Sequence, residues 1–384
     1  MDLPPLPTPA SIKSITPSFY NVALTCMARA GWQESGVLKS LPAPTGAMLG
    51  SCFHAVMAAA NLSQMPGGAR RITSAKEVFD RKAQQLFAEA HPLIRAKYAS
   101  PEKFPFYFQR RARAASLAAK AHSERPVGPT PAASPNAGYC GPGAKPPLLV
   151  EKTLSSRDGL ITGRIDYWNG AASTVTDYKS GQKKDASGTL SESELRQMRL
   201  YVYLLRQNGH GASHAAVVRG DGETAAQEVS AAEADSEAQA ARLVRDRFNE
   251  LAAAGESFFA MSSPSSMGCA GCPCIPFCEC FWEAAQPAWE AACGTNVEGA
   301  IVRADDATVG GTTLRTLALD SSRGTGPRGA LVAEQVPVQW LSLGSSIPGA
   351  GSVVRVVLAA RPATNPKSRI IRVDRMKATT VWRV

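Results

Sequence analysis

GRIDYWNGAASTVTDYKSG, residues 163–181, contains two short runs with strand character and turn-forming residues between them. Asp166 lies towards the end of the first run, and Asp177 lies near the end of the second. Because side chains alternate between the two faces of a strand, Asp177 and Lys179 project from one face and Tyr178 from the other. The stretch therefore predicts a β-hairpin that brings two carboxylates and one lysine together.

This combination of side chains suits the hydrolysis of phosphate esters. Carboxylate oxygens are favoured ligands of hard cations, and two acids can hold one or two such ions. A bound cation lowers the pKa of a coordinated water, and a nearby lysine can orient that water or neutralise charge on a phosphate. An isolated Asp-x-Lys is more often a solvent-facing ion pair, so the flanking residues must distinguish the two interpretations.

Three further motifs favour the catalytic interpretation. Residues 163–166, Gly-Arg-Ile-Asp, stand eleven residues before Asp-Tyr-Lys and resemble the GRID…DYK signature of the PD-(D/E)XK nuclease superfamily, in its RecB-like branch. Gln197 and Tyr201 lie four residues apart on the next predicted helix and resemble the branch's Q-x-x-x-Y motif. His54 follows Gly50 by four residues and resembles its G-x-x-x-H motif.

This resemblance covers roughly residues 11 to 285 and implies an α/β fold. The implied core is restriction-endonuclease-like, with a mixed central sheet flanked by helices. The implied reaction is hydrolysis of DNA phosphodiester bonds, by an exonuclease that acts on single strands or DNA ends. DNA repair, recombination and phage-type or CRISPR-type DNA processing are the pathways that such relatives serve.

The resemblance also implies roles for individual residues. His54, Asp166 and Asp177 would bind Mg²⁺ or Mn²⁺. Lys179 would be catalytic. Gln197 and Tyr201 would contact or orient the DNA near the scissile phosphate. Glu151 lies on the preceding predicted strand, where relatives often carry a glutamate.

A second motif is the cysteine-rich segment MGCAGCPCIPFCECFW, residues 267–282. An iron-sulfur subset of RecB-like nucleases, with AddB-type and CRISPR-adaptation relatives, has one early cysteine and a trailing C-x₂-C-x₅-C triplet. Cys269, Cys272 and Cys278 resemble the triplet, and Cys26 resembles the early cysteine, although Met27 stands where relatives usually have proline. The resemblance implies a 4Fe-4S cluster that ties the first helix to the end of the core.

Zinc is the alternative metal for this segment. Cys269, Cys272, Cys278 and Cys280 are a local set of four thiolates, which is a legitimate zinc site. Against zinc, Cys278 and Cys280 are separated by one residue only and would form an awkward chelate.

The composition divides the chain into two predicted domains. Residues 1–290 form the nuclease domain, with a helical insertion at about 63–124 and a flexible Pro- and Gly-rich loop at about 125–147. Near its N-terminus the pattern is helical from Thr16 to about Lys39, and Thr16-Pro17-Ser18 is the predicted cap. Residues 295–384 are β-rich and are predicted to form a small OB-fold-like barrel. The whole chain carries a net charge of +10, and its basic tail could follow a phosphate backbone. The nucleic-acid-binding candidates in the tail are Arg355, Lys367, Arg369, Arg372, Arg375 and Lys377.

Other protein classes receive less support. The chain has no apolar run of about 20 residues and no secretory signal, which predicts a cytoplasmic protein with no membrane partner. Two alternatives remain open: a non-catalytic nucleic-acid-binding subunit of a larger nuclease–helicase complex, and a zinc-containing interaction protein. Because the P-loop pattern is absent, any DNA unwinding requires a helicase partner.

Overall fold

The computed structural model describes residues 3–62, 64–66, 70–123, 148–181, 189–222, 224–309, 312–337, 348–359, 369–372 and 380–384. The helices of this part are α1 (Pro17–Ala23), α2 (Met27–Glu34), α3 (Thr45–Asn61), α4 (Arg70–Ala88), α5 (Pro92–Lys97), α6 (Tyr107–Ser123), α7 (Glu192–Gln207), α8 (Ala231–Ala253), α9 (Glu279–Ala284) and α10 (Glu290–Cys293). Within the described residues, no helix is both long enough and apolar enough to cross a membrane.

The first sheet has five strands in the order β1 (Leu148–Ser155), β2 (Thr162–Asn169), β3 (Thr174–Lys179), β4 (His214–Arg219) and β5 (Thr224–Glu228). Its pairings are antiparallel except for β3 and β4, which run parallel. Helix α7 makes the crossover that a parallel pair requires. The predicted α/β core with a mixed sheet is therefore present, and it agrees with a restriction-endonuclease-like architecture.

The N-terminal helical segment differs in one respect from its sequence pattern. The expected cap is present, since the Phe19 amide donates to the Thr16 hydroxyl at 3.1 Å. The segment then divides into α1 and α2, because Cys26 adopts an extended conformation with φ −157° and ψ 111°. Hydrophobic periodicity did not reveal this break, since neither glycine nor proline marks it.

The helical insertion forms a second core over one face of the sheet. Helices α3, α4 and α6 pack together around Phe53, Phe79 and Tyr107, and Tyr178 of β3 joins the same cluster. Residues 124–147, which include the predicted flexible loop, lie outside the described residues.

The second sheet has six strands in the order β10, β8, β7, β6, β9 and β11. Their bounds are β6 (Thr295–Val309), β7 (Thr312–Gly324), β8 (Gly329–Pro337), β9 (Val353–Ala359), β10 (Ile370–Arg372) and β11 (Thr380–Arg383). Among the described residues the sheet is open, because β10 pairs with β8 and β11 with β9. Strand β8 follows Gly329 directly, at GALVAEQVP, where buried and partly exposed residues alternate from Leu331 to Glu334.

Candidate functional site

Two acids face each other across the first strand pair. Val150 pairs with Tyr167 and Lys152 with Ile165, so Glu151 lies opposite Asp166. Glu151 has φ +50°, a left-handed conformation that costs a residue with a side chain about 1–2 kcal/mol. Strain of this kind persists where the surroundings impose it, and it is concentrated at functional sites.

Helix α3 adds a histidine to the two acids. His54 Nδ1 lies 3.4 Å from Asp166 Oδ2. Ligand atoms of His54, Glu151 and Asp166 all lie within 4.8 Å of one another. One imidazole and two carboxylates are donors that a divalent cation accepts, so this group could hold a metal ion.

Electrostatics at this group favour a bound cation. Burial raises the pKa of Glu151, and the charge of Asp166 raises it further, against the opposing effect of Arg164. Arg164 binds Glu151 through a contact of 2.5 Å. Burial lowers the pKa of His54, but Asp166 and the other acids outweigh that effect and raise it. A cation held between these groups would relieve the repulsion between the carboxylates.

The second acid and the lysine form a separate network with α7. Lys179 Nζ lies 2.8 Å from Asp177 Oδ2 and donates to Gln197 Oε1 at 3.1 Å. Gln197 Nε2 donates to Asp177 Oδ1 at 2.8 Å and to Tyr201 Oη at 2.9 Å. The structure thus brings the four predicted residues Asp177, Lys179, Gln197 and Tyr201 into one network.

Asp177 is the most deeply buried member of the network. It is 3% exposed, and burial raises its pKa to about 6 against the opposing charge of Lys179. The charge of Asp166 contributes to this rise, so the two acids are close enough to interact. Within the described part of the chain, Asp177 Oδ2 has the lysine nearby but no hydrogen bond of normal geometry. An oxygen with that deficit can accept a cation or a water.

Gly163 allows α7 to approach β2. A Cβ atom at this position would lie 2.9 Å from Leu204 Cδ1 and 3.1 Å from Tyr201 Cε1. The glycine of the GRID motif therefore permits the close packing that places Gln197 and Tyr201 over the acids.

The cysteines assemble at a second location. Cys26, Cys269, Cys272 and Cys278 all line one cavity, together with Arg29 and Trp32 of α2. The Ala28 amide donates to the Met261 carbonyl at 3.3 Å, and this bond connects α2 to the segment that leads into the trailing cysteines. The structure therefore brings together the four cysteines that the resemblance selects.

Two hydrogen-bond donors at this cavity have no acceptor in the part of the chain that the structure describes. Within the described residues, Arg29 Nε and Trp32 Nε1 are buried without a hydrogen-bond partner. Unsatisfied buried donors are costly, and each one calls for an explanation such as an absent ion or group. A hydrogen bond from Cys274 lowers the pKa of Cys272 to about 7 against burial, and the charge of Arg29 assists.

The remaining cysteines serve other contacts. Cys280 Sγ donates to the Phe259 carbonyl at 3.3 Å, and Cys293 Sγ donates to the Ser266 carbonyl at 3.2 Å. Cys52 is buried within α3. Cys140 lies outside the described residues.

One predicted nucleic-acid contact is wrong. Arg355 is fully buried, and its guanidinium binds Glu298 at 2.6 Å, the Pro276 carbonyl at 2.8 Å, and Glu279. It also lies over the Trp282 ring, with 5.1 Å to the ring centroid. The residue joins the second sheet to the cysteine segment, and its buried guanidinium is not accessible to a phosphate.

The other basic candidates are described only in part. Arg369 is exposed and donates to the carbonyls of Arg328 at 2.7 Å and Ala330 at 2.9 Å. Arg372 belongs to β10, but its side chain is not described. Lys367, Arg375 and Lys377 lie outside the described residues, so their role stays a prediction.

The mixed sheet, the acids of neighbouring strands and the lysine beside them define the class of a nuclease. The family model of the PD-(D/E)XK nuclease superfamily matches residues 14–279, and the chain belongs to that superfamily. Membership implies a hydrolase that acts on DNA and typically uses a divalent metal. Comparison with curated proteins found no match.

Sequence reasoning left Glu151 out of the metal-binding set. The structure places it with His54 and Asp166, whereas Asp177 lies with the lysine. The available signal was its position at the middle of the strand before the hairpin, but antiparallel register with β2 was needed to place it opposite Asp166.

Proposed function

We propose that the protein is a Mg²⁺- or Mn²⁺-dependent deoxyribonuclease of the RecB-like branch, acting as an exonuclease on single strands or DNA ends. The observation that carries the proposal is the group of His54, Glu151 and Asp166 beside the Asp177–Lys179–Gln197 network. A subunit with only a scaffolding role has no need for this arrangement of acids and lysine.

The metal-binding part rests on the chemistry of the donors. His54, Glu151 and Asp166 would hold the cation, and Asp177, whose pKa the charge of Asp166 raises, would lie near it. A divalent cation supplies positive charge that stabilises a phosphate in its transition state and lowers the pKa of bound water. The strained backbone at Glu151 supports a site whose geometry is held in advance of binding.

Lys179 has the best position for a direct role in the reaction. Its side chain is 38% exposed, whereas its partner Asp177 is buried, so the ammonium can reach solvent and substrate. Asp177 and Gln197 fix its direction, and Tyr201 fixes Gln197 in turn. An ammonium held in place can orient a water and neutralise charge that develops on the phosphate.

The test of this proposal is cleavage of DNA labelled at the 5′ or the 3′ end. Wild-type protein should cut single strands or duplex ends with Mg²⁺ or Mn²⁺ and should be inactive in EDTA. Lys179→Ala should lower the rate at least about a hundredfold, as expected when an electrostatic donor is lost. Lys39→Ala is the matched control, because Lys39 is exposed and does not belong to the candidate site. Wild-type protein that leaves every labelled strand intact would contradict the proposal.

We further propose that Cys26, Cys269, Cys272 and Cys278 hold a 4Fe-4S cluster. A zinc ion with Zn–S bonds of about 2.3 Å would hold its sulfurs within about 4 Å of one another. Within the described residues, no three cysteine sulfurs all lie within 4.8 Å, so these four surround a larger space. A cluster binds each thiolate through a different iron and needs such a space. Arg29 and Trp32 supply the buried N–H groups that could bond its sulfur atoms.

Iron and sulfide analysis of anaerobically purified protein tests the cluster. Cys26→Ala should lose iron and the broad visible absorption of the cluster, whereas Cys280→Ala should retain both. The reverse result, with zinc in place of iron, would favour the local zinc set. Because the cluster would link α2 to the cysteine segment, its loss should also lower the melting temperature.

The second sheet is proposed to belong to an OB-fold-like domain that assists substrate binding. Residues 295–384 are β-rich and basic, which supports this role, although the buried Arg355 binds Glu298 and is not accessible to DNA. A helicase or another DNA-processing protein would supply any unwinding. Replacement of exposed Arg369 by glutamate should weaken DNA binding if this face contacts the phosphate backbone, and unchanged salt dependence would refute that contact.

A further inference from the structure

The segment FPFYFQRRAR, residues 104–113, leads into α6 and exposes two aromatic rings. Phe106 is 62% exposed and Phe108 is 64% exposed, whereas Tyr107 between them is 2% exposed. Tyr107 is anchored, because its hydroxyl donates to Asp80 Oδ1 at 2.7 Å. The buried tyrosine therefore holds a phenylalanine in solvent on each side of it.

The backbone at Phe106 makes its exposure more informative. Phe106 has φ +64°, a left-handed conformation that residues with side chains rarely adopt. Its carbonyl accepts the Arg110 amide at 3.0 Å, so the residue stands at the start of α6. Glycine would fit this conformation without strain. A phenylalanine that is 62% exposed and has an unfavourable backbone conformation gains little from packing, so its presence calls for another explanation.

The same helix carries positive charge towards the candidate active site. Arg110 Nη1 donates to Ser180 Oγ at 2.9 Å, and Ser180 directly follows Lys179. Arg110 Nη1 also approaches the Gly46 carbonyl at 3.4 Å, on the helix that bears His54. The start of α6 therefore lies at the edge of the proposed catalytic site.

Two arginines of this helix have no carboxylate partner among the described residues. Arg111 binds Asp80 with two bonds of 2.6 and 2.5 Å, but within the described residues neither Arg110 nor Arg113 forms an ion pair. Burial lowers the pKa of Arg110, and the charge of Arg113 lowers it further, so the two cations are close together. This unbalanced charge suits a polyanion.

We propose that Phe106 and Phe108 form a stacking platform for the bases of a single DNA strand, whose phosphates Arg110 and Arg113 bind. The inference rests on the proposed DNA-cleaving function and adds how the substrate strand is selected. Aromatic rings stack on any base, and adjacent cations bind the backbone, so the combination recognises a single strand without reading its sequence. A duplex keeps its bases stacked inside, and the platform therefore favours unpaired DNA or a frayed end.

Fluorescence anisotropy with a labelled single strand tests the platform. Lys179→Ala prevents cleavage and serves as the common background for all binding measurements. The double variant Phe106→Ala/Phe108→Ala should bind the strand at least about tenfold more weakly, as expected when base stacking is lost. Leu243→Ala is the matched control, because Leu243 is also 64% exposed but lies on α8. Phe108→Trp should retain the affinity, since indole provides a stacking face of its own.

An abasic strand of equal length separates stacking from backbone contacts. It should bind the background protein and the double variant equally well, because it offers phosphates and no bases. Since both rings are exposed, Phe106→Ala/Phe108→Ala and Phe108→Trp should keep the circular dichroism spectrum and melting temperature of the Lys179→Ala protein.

The outcomes distinguish the platform from the nuclease function. A double variant that binds as tightly as the Leu243→Ala control would overturn the platform, while cleavage by wild-type protein would leave the nuclease proposal standing. An equal loss of affinity for the abasic strand would also overturn it, because stacking would not be involved. Unchanged DNA binding with loss of self-association in sedimentation would assign the rings to a second copy of the chain. Wild-type protein that neither binds nor cuts DNA would overturn both proposals.

Discussion

Replacement of Asp177 by asparagine should abolish DNA cleavage and at the same time stabilise the metal-free protein. Asp177 is 3% exposed, and burial raises its pKa from 3.8 to about 6 although Lys179 opposes the rise. Asparagine resembles the protonated acid, so it removes the buried charge and can still accept the hydrogen bond from Gln197.

The magnitude follows from proton linkage. A tenfold change in proton affinity corresponds to about 1.4 kcal/mol, so a charged Asp177 costs the folded protein about 3 kcal/mol at pH 8. Because the carboxyl pKa is raised in the folded protein, this cost is absent below the unfolded pKa of 3.8. It grows as the pH rises from 3.8 to about 6 and is fully present above that pH. At pH 5 the cost should be about half of that at pH 8. The variant should therefore gain up to about 3 kcal/mol over wild type at pH 8 and less at pH 5.

Urea unfolding of both proteins in EDTA at pH 8 and pH 5 measures this difference. Asp158→Asn is a control that should lower the free energy of unfolding at pH 8, whereas Asp177→Asn should raise it. Burial alone would raise the pKa of Asp158, but hydrogen bonds from Ser156, the Leu160 amide and Arg242 lower it to about 2. Its side chain is 41% exposed, so the loss should be small. The reasoning would be refuted if Asp177→Asn were no more stable than wild type at pH 8, or if its advantage were the same at both pH values.

Three further predictions concern stability. Gly163→Ala should lower stability by about 1–3 kcal/mol, since its Cβ would lie 2.9 Å from the neighbouring leucine side chain on α7, whereas Gly211→Ala has open space and should change little. Arg355→Ala should cost about 3 kcal/mol because it removes a fully buried guanidinium from Glu298 and leaves that buried glutamate with the more exposed Arg323, while Arg303→Ala, at a side chain 73% exposed, should cost under about 1 kcal/mol. Phe106→Gly should raise stability by about 1 kcal/mol relative to Phe106→Ala by relieving the left-handed strain, and should still weaken binding of single-stranded DNA.

Chemical unfolding measures the free energy for each pair of variants. Equal stability of the two glycine variants would show that α7 can shift without cost. A loss of stability under about 1 kcal/mol in Arg355→Ala would show that water can hydrate Glu298 and Glu279 when the arginine is removed. If Phe106→Gly and Phe106→Ala were equally stable, the conformation of that residue would carry no strain.

Local rules explain how much of the active site could be predicted. Alternation along a strand places Asp177 and Lys179 on the same face, and helical spacing places Gln197 and Tyr201 on the same face. Both patterns operate over a few residues, and the structure contains the contacts they imply. The mixed sheet was expected from the resemblance to the nuclease superfamily, and the structure contains it.

The errors arose where distant segments meet. A basic residue in a β-rich tail looks available to DNA, but Arg355 lies inside because Glu298 and Glu279 surround it from other elements. The break at Cys26 was missed because nothing in its neighbourhood forbids a continuous helix. Residue type alone does not determine which face of a strand or which turn of a helix becomes buried.

The sequence by itself determined the superfamily, the hairpin acids and lysine, and the candidate cysteines, because these depend on residue identity and short spacing. Only the tertiary structure decided that Glu151 joins His54 and Asp166, and that Cys26 shares a cavity with the trailing cysteines. It also decided that two exposed phenylalanines precede Arg110, whose guanidinium bonds Ser180 next to Lys179. These juxtapositions depend on how whole helices and strands pack, and the free energy of that packing is shared among many residues of the core.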